Sequence, residues 1–210
     1  SEILDEVERL PEPSAAGSAN RANGSHSTDN APPLAGFRVV ELAQGIAGPY
    51  AGMELADAGA DVVKVEHLTG DVAREWEPRG PGGLGAAFIQ LNRGKRSARF
   101  DLESQEGRAA LKQLVAGCDV LIEDADLTRE LGLDIEAILA AHPRVVHNRI
   151  SGWGPQGPWA DLSATEIGAQ LSSEVTFSLG RFGERPVRVG ADLASTYAGI
   201  YSVQGILAAL

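Results

Sequence analysis

Three stretches of the sequence hold residues whose types and spacing could support chemistry. Gly45, Gly48 and Gly52 follow a short apolar run, as in a loop that wraps a dinucleotide. Their spacing, G-x-x-G-x-x-x-G, is not the G-x-G-x-x-G that lays backbone amides on a pyrophosphate, and Pro49 removes a donor where the helix begins. This argues against nicotinamide binding, although an anion at that helix start would still meet free N–H groups and the positive end of the dipole. Asn92-Arg93-Gly94-Lys95-Arg96 sets three cations beside a glycine turn, just before a strand. It reads either as a solvated turn or as an anchor for a phosphorylated ligand, with Arg supplying forked bonds and Lys a point charge. Glu166 follows a loop containing Trp153 and Trp159 at the carboxyl end of a strand, where open α/β sheets bind ligands. It is either an exposed residue favouring a helix dipole or a pocket carboxylate. His26, His67, His142 and His147 show no i,i+4 pairing and no cysteine neighbour, so no metal site is expected. Cys118 lies in an apolar passage between helix and strand and reads as inert packing.

The elements that must position these residues alternate. Short β-branched runs at 37–42, 61–66, 120–123 and 145–150 read as strands. Helical patterns reach from the first glycine turn through residue 58 and cover about 104–116 and 134–141. Strands separated by helices predict an α/β fold, a Rossmann-like parallel sheet with helices on both faces. Residues 195–210 are small, apolar and helical in spacing, with no Gly, Pro or basic last turn at the end, so the natural polypeptide is expected to continue. Residues 1–34, rich in Pro, Ser, Asn and Gly after a charged start, read as a disordered tail or inter-domain linker ahead of one domain at 35–210.

Composition narrows the function classes. With 210 residues and 43% hydrophobic content, the chain can bury one sizeable core. Its 18 Lys+Arg against 29 Asp+Glu give a formal charge of -11, which argues against a general nucleic-acid binder. A single cysteine excludes an internal disulfide framework. No apolar run approaches the ~20 residues of a membrane span and no signal pattern opens the chain, so a cytoplasmic protein is expected.

Several ordered blocks are similar to one known family. Glu41-Leu42, Ile46-Ala47-Gly48-Pro49, the run from Leu55 to Glu66, Gly70-Asp71, the run from Leu91 to Ser97, Asp101-Leu102, Gly107-Arg108, Leu131-Gly132-Leu133 and His142-Pro143-Arg144 resemble the N-terminal half of class III CoA-transferases. This is the family of formyl-CoA transferase, carnitine CoA-transferase and α-methylacyl-CoA racemase, and the resemblance runs from Gly36 to Leu210. It implies a Rossmann-like large domain, a second small domain absent here, and an interlocked homodimer. It also implies CoA, as acyl-CoA, for the ligand, a small carboxylic acid for the acceptor, and no metal. In the family mechanism an aspartate attacks the thioester, giving a mixed anhydride and then an aspartyl-CoA thioester.

Against that pattern, Ser195 occupies the nucleophile position, four residues before Gly199. Glu166 matches the supporting pocket acid, and Thr165 stands where the racemase branch has a histidine. Asp192 is close to Ser195 in sequence but is expected on a strand or turn, pointing elsewhere and about 10 Å away. The family's loop after the third apolar strand reads Glu123-Asp124-Ala125-Asp126-Leu127-Thr128 here, and its acids would repel nucleotide phosphates. The resemblance leaves Ile46, His67, Asn92, Lys95 and Arg96 as CoA-binding residues, with binding weakened. Three functions follow: a non-catalytic half of a tandem or heteromeric CoA-transferase, an active transferase or racemase-type enzyme using Glu166 or Asp192, or a non-enzymatic interaction domain.

Overall fold

The computed structural model describes residues 31–179 and 183–210, so the charged and Pro/Ser-rich part of the expected tail, residues 1–30, lies outside the described residues. Leu34, placed in that tail by the sequence, is only 7% exposed and packs in the core, its N–H donating to the Ala58 carbonyl. The core therefore includes a residue that the composition assigns to the tail.

Five strands form one parallel sheet: β1 (Arg38–Leu42), β2 (Asp61–His67), β3 (Arg96–Phe100), β4 (Val120–Asp124) and β5 (Val146–Ile150), in the spatial order β3-β2-β1-β4-β5. Between them lie α1 (Ala47–Asp57), α2 (Ala86–Leu91), α3 (Gln105–Ala116), α4 (Ala125–Glu130) and α5 (Ile135–Leu139); α6 (Glu166–Ser172) and α7 (Leu193–Ala209) follow β5. The apolar strands lie within a residue or two of their expected bounds. β3, foreseen only as the strand after the cation cluster, is polar and alternates in exposure because it is a sheet edge.

The apolar strands are continuous runs because both faces are covered. Val40, Leu42, Val63, Val65 and Leu121 meet α3 and α5 on one face, while Val39, Val62, Val120 and Ile122 meet α1 and Ile206 of α7 on the other. Local sequence sets the helix starts: Ser104 accepts the Gly107 N–H to open α3, and Asp134 accepts the Ala137 N–H to open α5. Cys118 is buried in the first of these cores, and burial pushes its thiol up to about 12, as inert packing requires.

Charged residues interrupt the second face. Glu41 and Lys64 are register partners on β1 and β2, each at most 1% exposed, with Lys64 Nζ 2.9 Å from Glu41 Oε1. Glu41 Oε2 accepts a second ammonium, from Lys95 at 2.6 Å. Lys64 also lies 2.8 Å from Asp71 Oδ2, so two cations and two carboxylates balance inside the fold. α1 reaches this group because Gly52 has no side chain: a Cβ there would stand 2.0 Å from Glu41 Oε2.

Gly52→Ala is accordingly expected to lower stability by about 2–3 kcal/mol, as overpacking does, seen as a reduced urea midpoint with an unchanged slope. The acids give a pH dependence. Burial raises Glu41, Glu66 and Glu123, but Lys64 and Lys95, Arg74, and His147 with Thr128, respectively, outweigh it and hold each below the ordinary value of 4.5. Groups with lowered folded values stabilise above the unfolded pKa, so unfolding free energy should hold down to about pH 4.5 and fall below it as these acids are protonated. Denaturant melts from pH 7 to pH 3 measure this; a loss already complete at pH 5 would contradict it.

Candidate functional site

In an open parallel sheet the ligand crevice lies beyond the carboxyl ends of the strands where the order reverses, here between β1 and β4. A cavity of about 640 Å³ lies there, lined by the loop after β1 (Gln44 to Ala47), by Asp124 and Asp126 after β4, and by Ser151 and Gly152 after β5. The starts of α6 and α7 and the ring of Trp76 close it. A second cavity of about 680 Å³ beyond β2 shares Gln44 and Trp76 with the first, so the two compartments adjoin. Trp153 packs edge-on against Trp159 at 5.1 Å between ring centroids, within the loop that presents Ser151 and Gly152.

Glu166 and Ser195 meet in the first cavity. Thr165 caps α6 by accepting the Gly168 N–H, which sets Glu166 as the first helical residue. Its carboxylate crosses to the start of α7: Oε1 accepts the Ala194 N–H at 2.8 Å, and Oε2 accepts the Ser195 N–H at 3.0 Å and the Ser195 hydroxyl at 2.8 Å. Glu166 is thus both a pocket carboxylate and the cap of another helix. Burial raises its carboxyl, but Gln170, Ala194 and Ser195 hold it below the ordinary carboxylate range. Gln170, 1% exposed and marked by no sequence motif, orients it: its amide donates to Glu166 Oε1 at 2.8 Å and to the Ala191 carbonyl at 3.2 Å, and accepts the Val189 N–H at 3.0 Å.

Asp192 corrects the sequence expectation. It is the residue before α7, and Ser195 is the third residue of that helix, so about one turn, with a rise near 5 Å, separates them rather than 10 Å of extended chain. Both line the first cavity. Asp192 makes no side-chain cap; its Oδ1 accepts from Arg188 Nη2 at 3.0 Å, while Glu166 holds the amides that it would otherwise cap. Asp124 corrects a second expectation. The residues read as a loop form the end of β4 and the start of α4, and Asp124 caps that helix by accepting from the Asp126 and Leu127 amides. Burial raises its carboxyl.

The expected CoA-binding residues divide. Ile46 lines the first cavity and His67 the second. Asn92, Lys95 and Arg96 line neither. The Lys95 side chain is 1% exposed and donates to Glu41, to the Pro49 carbonyl at 2.8 Å and to Asn92 Oδ1 at 3.0 Å. Arg96 grips both oxygens of Asp61, and Arg93 pairs with Asp57. The Gly45 N–H, turned inward by a φ of 73°, donates to Asp71. No Lys, Arg or His lines the first cavity among the described residues, and His67 alone of these types lines the second, beside Glu75, Glu103 and Glu130. Ligand atoms of His67, Asp101 and Glu103 lie within 4.8 Å of one another, but Asp101 already accepts the Glu103 and Ser104 amides. No helix among the described residues is long and apolar enough to cross a membrane.

Removing the Glu166 carboxylate leaves the first amides of α7 without acceptors. Glu166→Ala is therefore expected to cost about 1–2 kcal/mol, and hydrogen exchange should accelerate at the Ala194 and Ser195 amides before those in the middle of α7.

The profile described as "CoA-transferase family III" matches residues 34–210. The succinate–glutarate CoA-transferase of Agrobacterium fabrum is 40% identical over 188 residues, covering 85% of this chain and 47% of that protein. A protein of Chloroflexus aurantiacus named succinyl-CoA–L-malate CoA-transferase alpha subunit is 36% identical over 185 residues, covering 85% and 43%. The crystal structure of a CaiB/BaiF family protein from Brucella suis superposes with a TM-score of 0.79 at 38% identity, covering 85% of this chain and 49% of that one. The chain thus spans about half the length of the curated relatives it matches. Over that span, from the first core residue through α7, it belongs to CoA-transferase family III.

Proposed function

We propose that this chain is the acyl-CoA-facing part of a class III CoA-transferase, acting between an acyl-CoA and a small carboxylic acid, and that it does not itself carry the acyl group. One observation supports the second part: the hydroxyl of Ser195, in the first turn of α7 at the crevice, is 2.8 Å from Glu166. Exchange of CoA between acids needs intermediates near the thioester in energy, and a carboxylate supplies them: the CoA thiolate leaves as the mixed anhydride forms, then returns to give an enzyme–CoA thioester and release the acid. A serine would form an oxygen ester, which lies below a thioester and stalls the exchange. Glu166 is also a poor base for that hydroxyl, because four hydrogen bonds stabilise its charged form. The reading is a silent half that pairs with a second CoA-transferase half, in tandem or as a separate subunit, bearing the reactive carboxylate.

The nearly cation-free walls fit weak binding of the CoA phosphates by this chain alone, with further cations coming from the remainder of the enzyme. A second reading has its own support: Asp192 lines the same cavity one turn away, its cap role is taken by Glu166, and its carboxylate, paired with the exposed Arg188 at 3.0 Å, is within the crevice to attack.

Ser195→Asp in the full polypeptide separates the two. If only the carboxylate is missing, then with the partner half's reactive carboxylate replaced by its amide the variant should exchange CoA between succinyl-CoA and glutarate at least a hundredfold faster than the parent in the same background, followed by chromatography of the two thioesters. A parent already exchanging at the rate of the variant, and losing that rate on Asp192→Asn, would establish the second reading.

A further inference from the structure

We propose that Asp71 is a positioning residue for the crevice, clamping together the two loops that form one of its walls; the ligand part of this rests on the acyl-CoA reading above. Asp71 is 3% exposed, and its carboxylate reaches three groups. Oδ1 accepts the Gly45 N–H at 3.0 Å and the Ala73 N–H at 2.8 Å, while Oδ2 is 2.8 Å from Lys64 Nζ. Lys64 in turn donates to the Ala43 carbonyl at 2.8 Å. Ala43 and Gly45 belong to the loop after β1, which carries Gln44 and Ile46 into the cavities. Ala73 belongs to the short 3-10 turn after β2, which ends beside Trp76 and Glu77. The Trp76 ring rests on the first loop, 3.5 Å from where a Cβ of Gly45 would stand. Gln44 and Trp76, the two side chains common to both cavities, therefore hang from loops tied by one carboxylate.

Stability alone is a weak reason for this arrangement. A buried ion pair contributes little more than apolar residues of similar volume, and often less, because desolvation offsets the attraction. What the pair supplies is direction: two amides from different loops converge on one oxygen, and the charge that draws them in is balanced by a lysine fixed in β2.

The test uses the full polypeptide with Trp153→Phe and Trp159→Phe, which leaves Trp76 as the only tryptophan of the 3 in this chain and a reporter of the wall. Into that background go Lys64→Met and Asp71→Ser together, removing one charge of each sign so that Glu41 and Lys95 remain balanced. The clamp predicts a cooperatively folded protein whose Trp76 is quenched by acrylamide at least twofold more readily and whose affinity for succinyl-CoA falls at least tenfold relative to the background. A folded variant with background quenching overturns the proposal. Should the paired variant fail to unfold cooperatively, Asp71→Asn decides: it keeps the volume but turns an amide donor toward Lys64, so increased quenching supports the clamp and background quenching overturns it. A background protein that shows no succinyl-CoA affinity while its quenching still responds to the variants counts against the acyl-CoA reading and leaves the clamp standing.

Discussion

The Glu41 carboxylate, buried in the central strand between two ammonium groups, is the interaction on which the rest of this structure depends. Lys64 holds it across the β1–β2 register and Lys95 from the turn before β3, so one side chain joins the first three strands. Taking such charges out of water costs several kcal/mol per ion, and the arrangement is tolerable only because each oxygen and each ammonium finds a close partner. Lys95 shows the tension: burial pushes its amine down to about 8, although Glu41 pulls the other way. α1 must come close enough to cover this group, which excludes a side chain at position 52. From that base rise the loops after β1 and β2, and these form the wall that both cavities share.

The parts of the fold that could be read in the sequence follow from the same physics. A parallel sheet covered on both faces needs unbroken apolar strands, and Val62-Val63 or Val120-Leu121-Ile122 announce themselves without any partner. β3 lacks such a run because an edge strand has less to bury, and only its position after the glycine turn indicates it. Leu34 was hidden by its Pro-rich neighbours. α4 is short and polar, and the only available signal was Asp124 as a cap, which the resemblance to a ligand loop obscured.

At the site, legibility depended on distance along the chain. Glu166 could be named from its place at a helix start and Ser195 from the family resemblance, but that one caps the helix of the other is a contact across 29 residues that no local pattern encodes. The same limit applies to Lys95. A lysine beside a glycine turn looks the same whether it faces solvent, a phosphate or a carboxylate 54 residues away, and here the carboxylate holds it. Several residues of the blocks that carry the family resemblance, Glu41, Lys64, Glu66, Asp71 and Lys95, thus belong to the buried charge network. They identify the scaffold more directly than the reaction.

Whether an acyl group ever resides on this chain is the central question, and peptide mass mapping answers it most directly. The full polypeptide, incubated with succinyl-CoA, quenched in acid and digested, yields the segment containing Asp192 and Ser195. The account predicts that this segment stays unmodified while an adduct appears on another part of the assembly. A thioester, anhydride-derived or ester adduct on Asp192, Ser195 or Glu166 would contradict it.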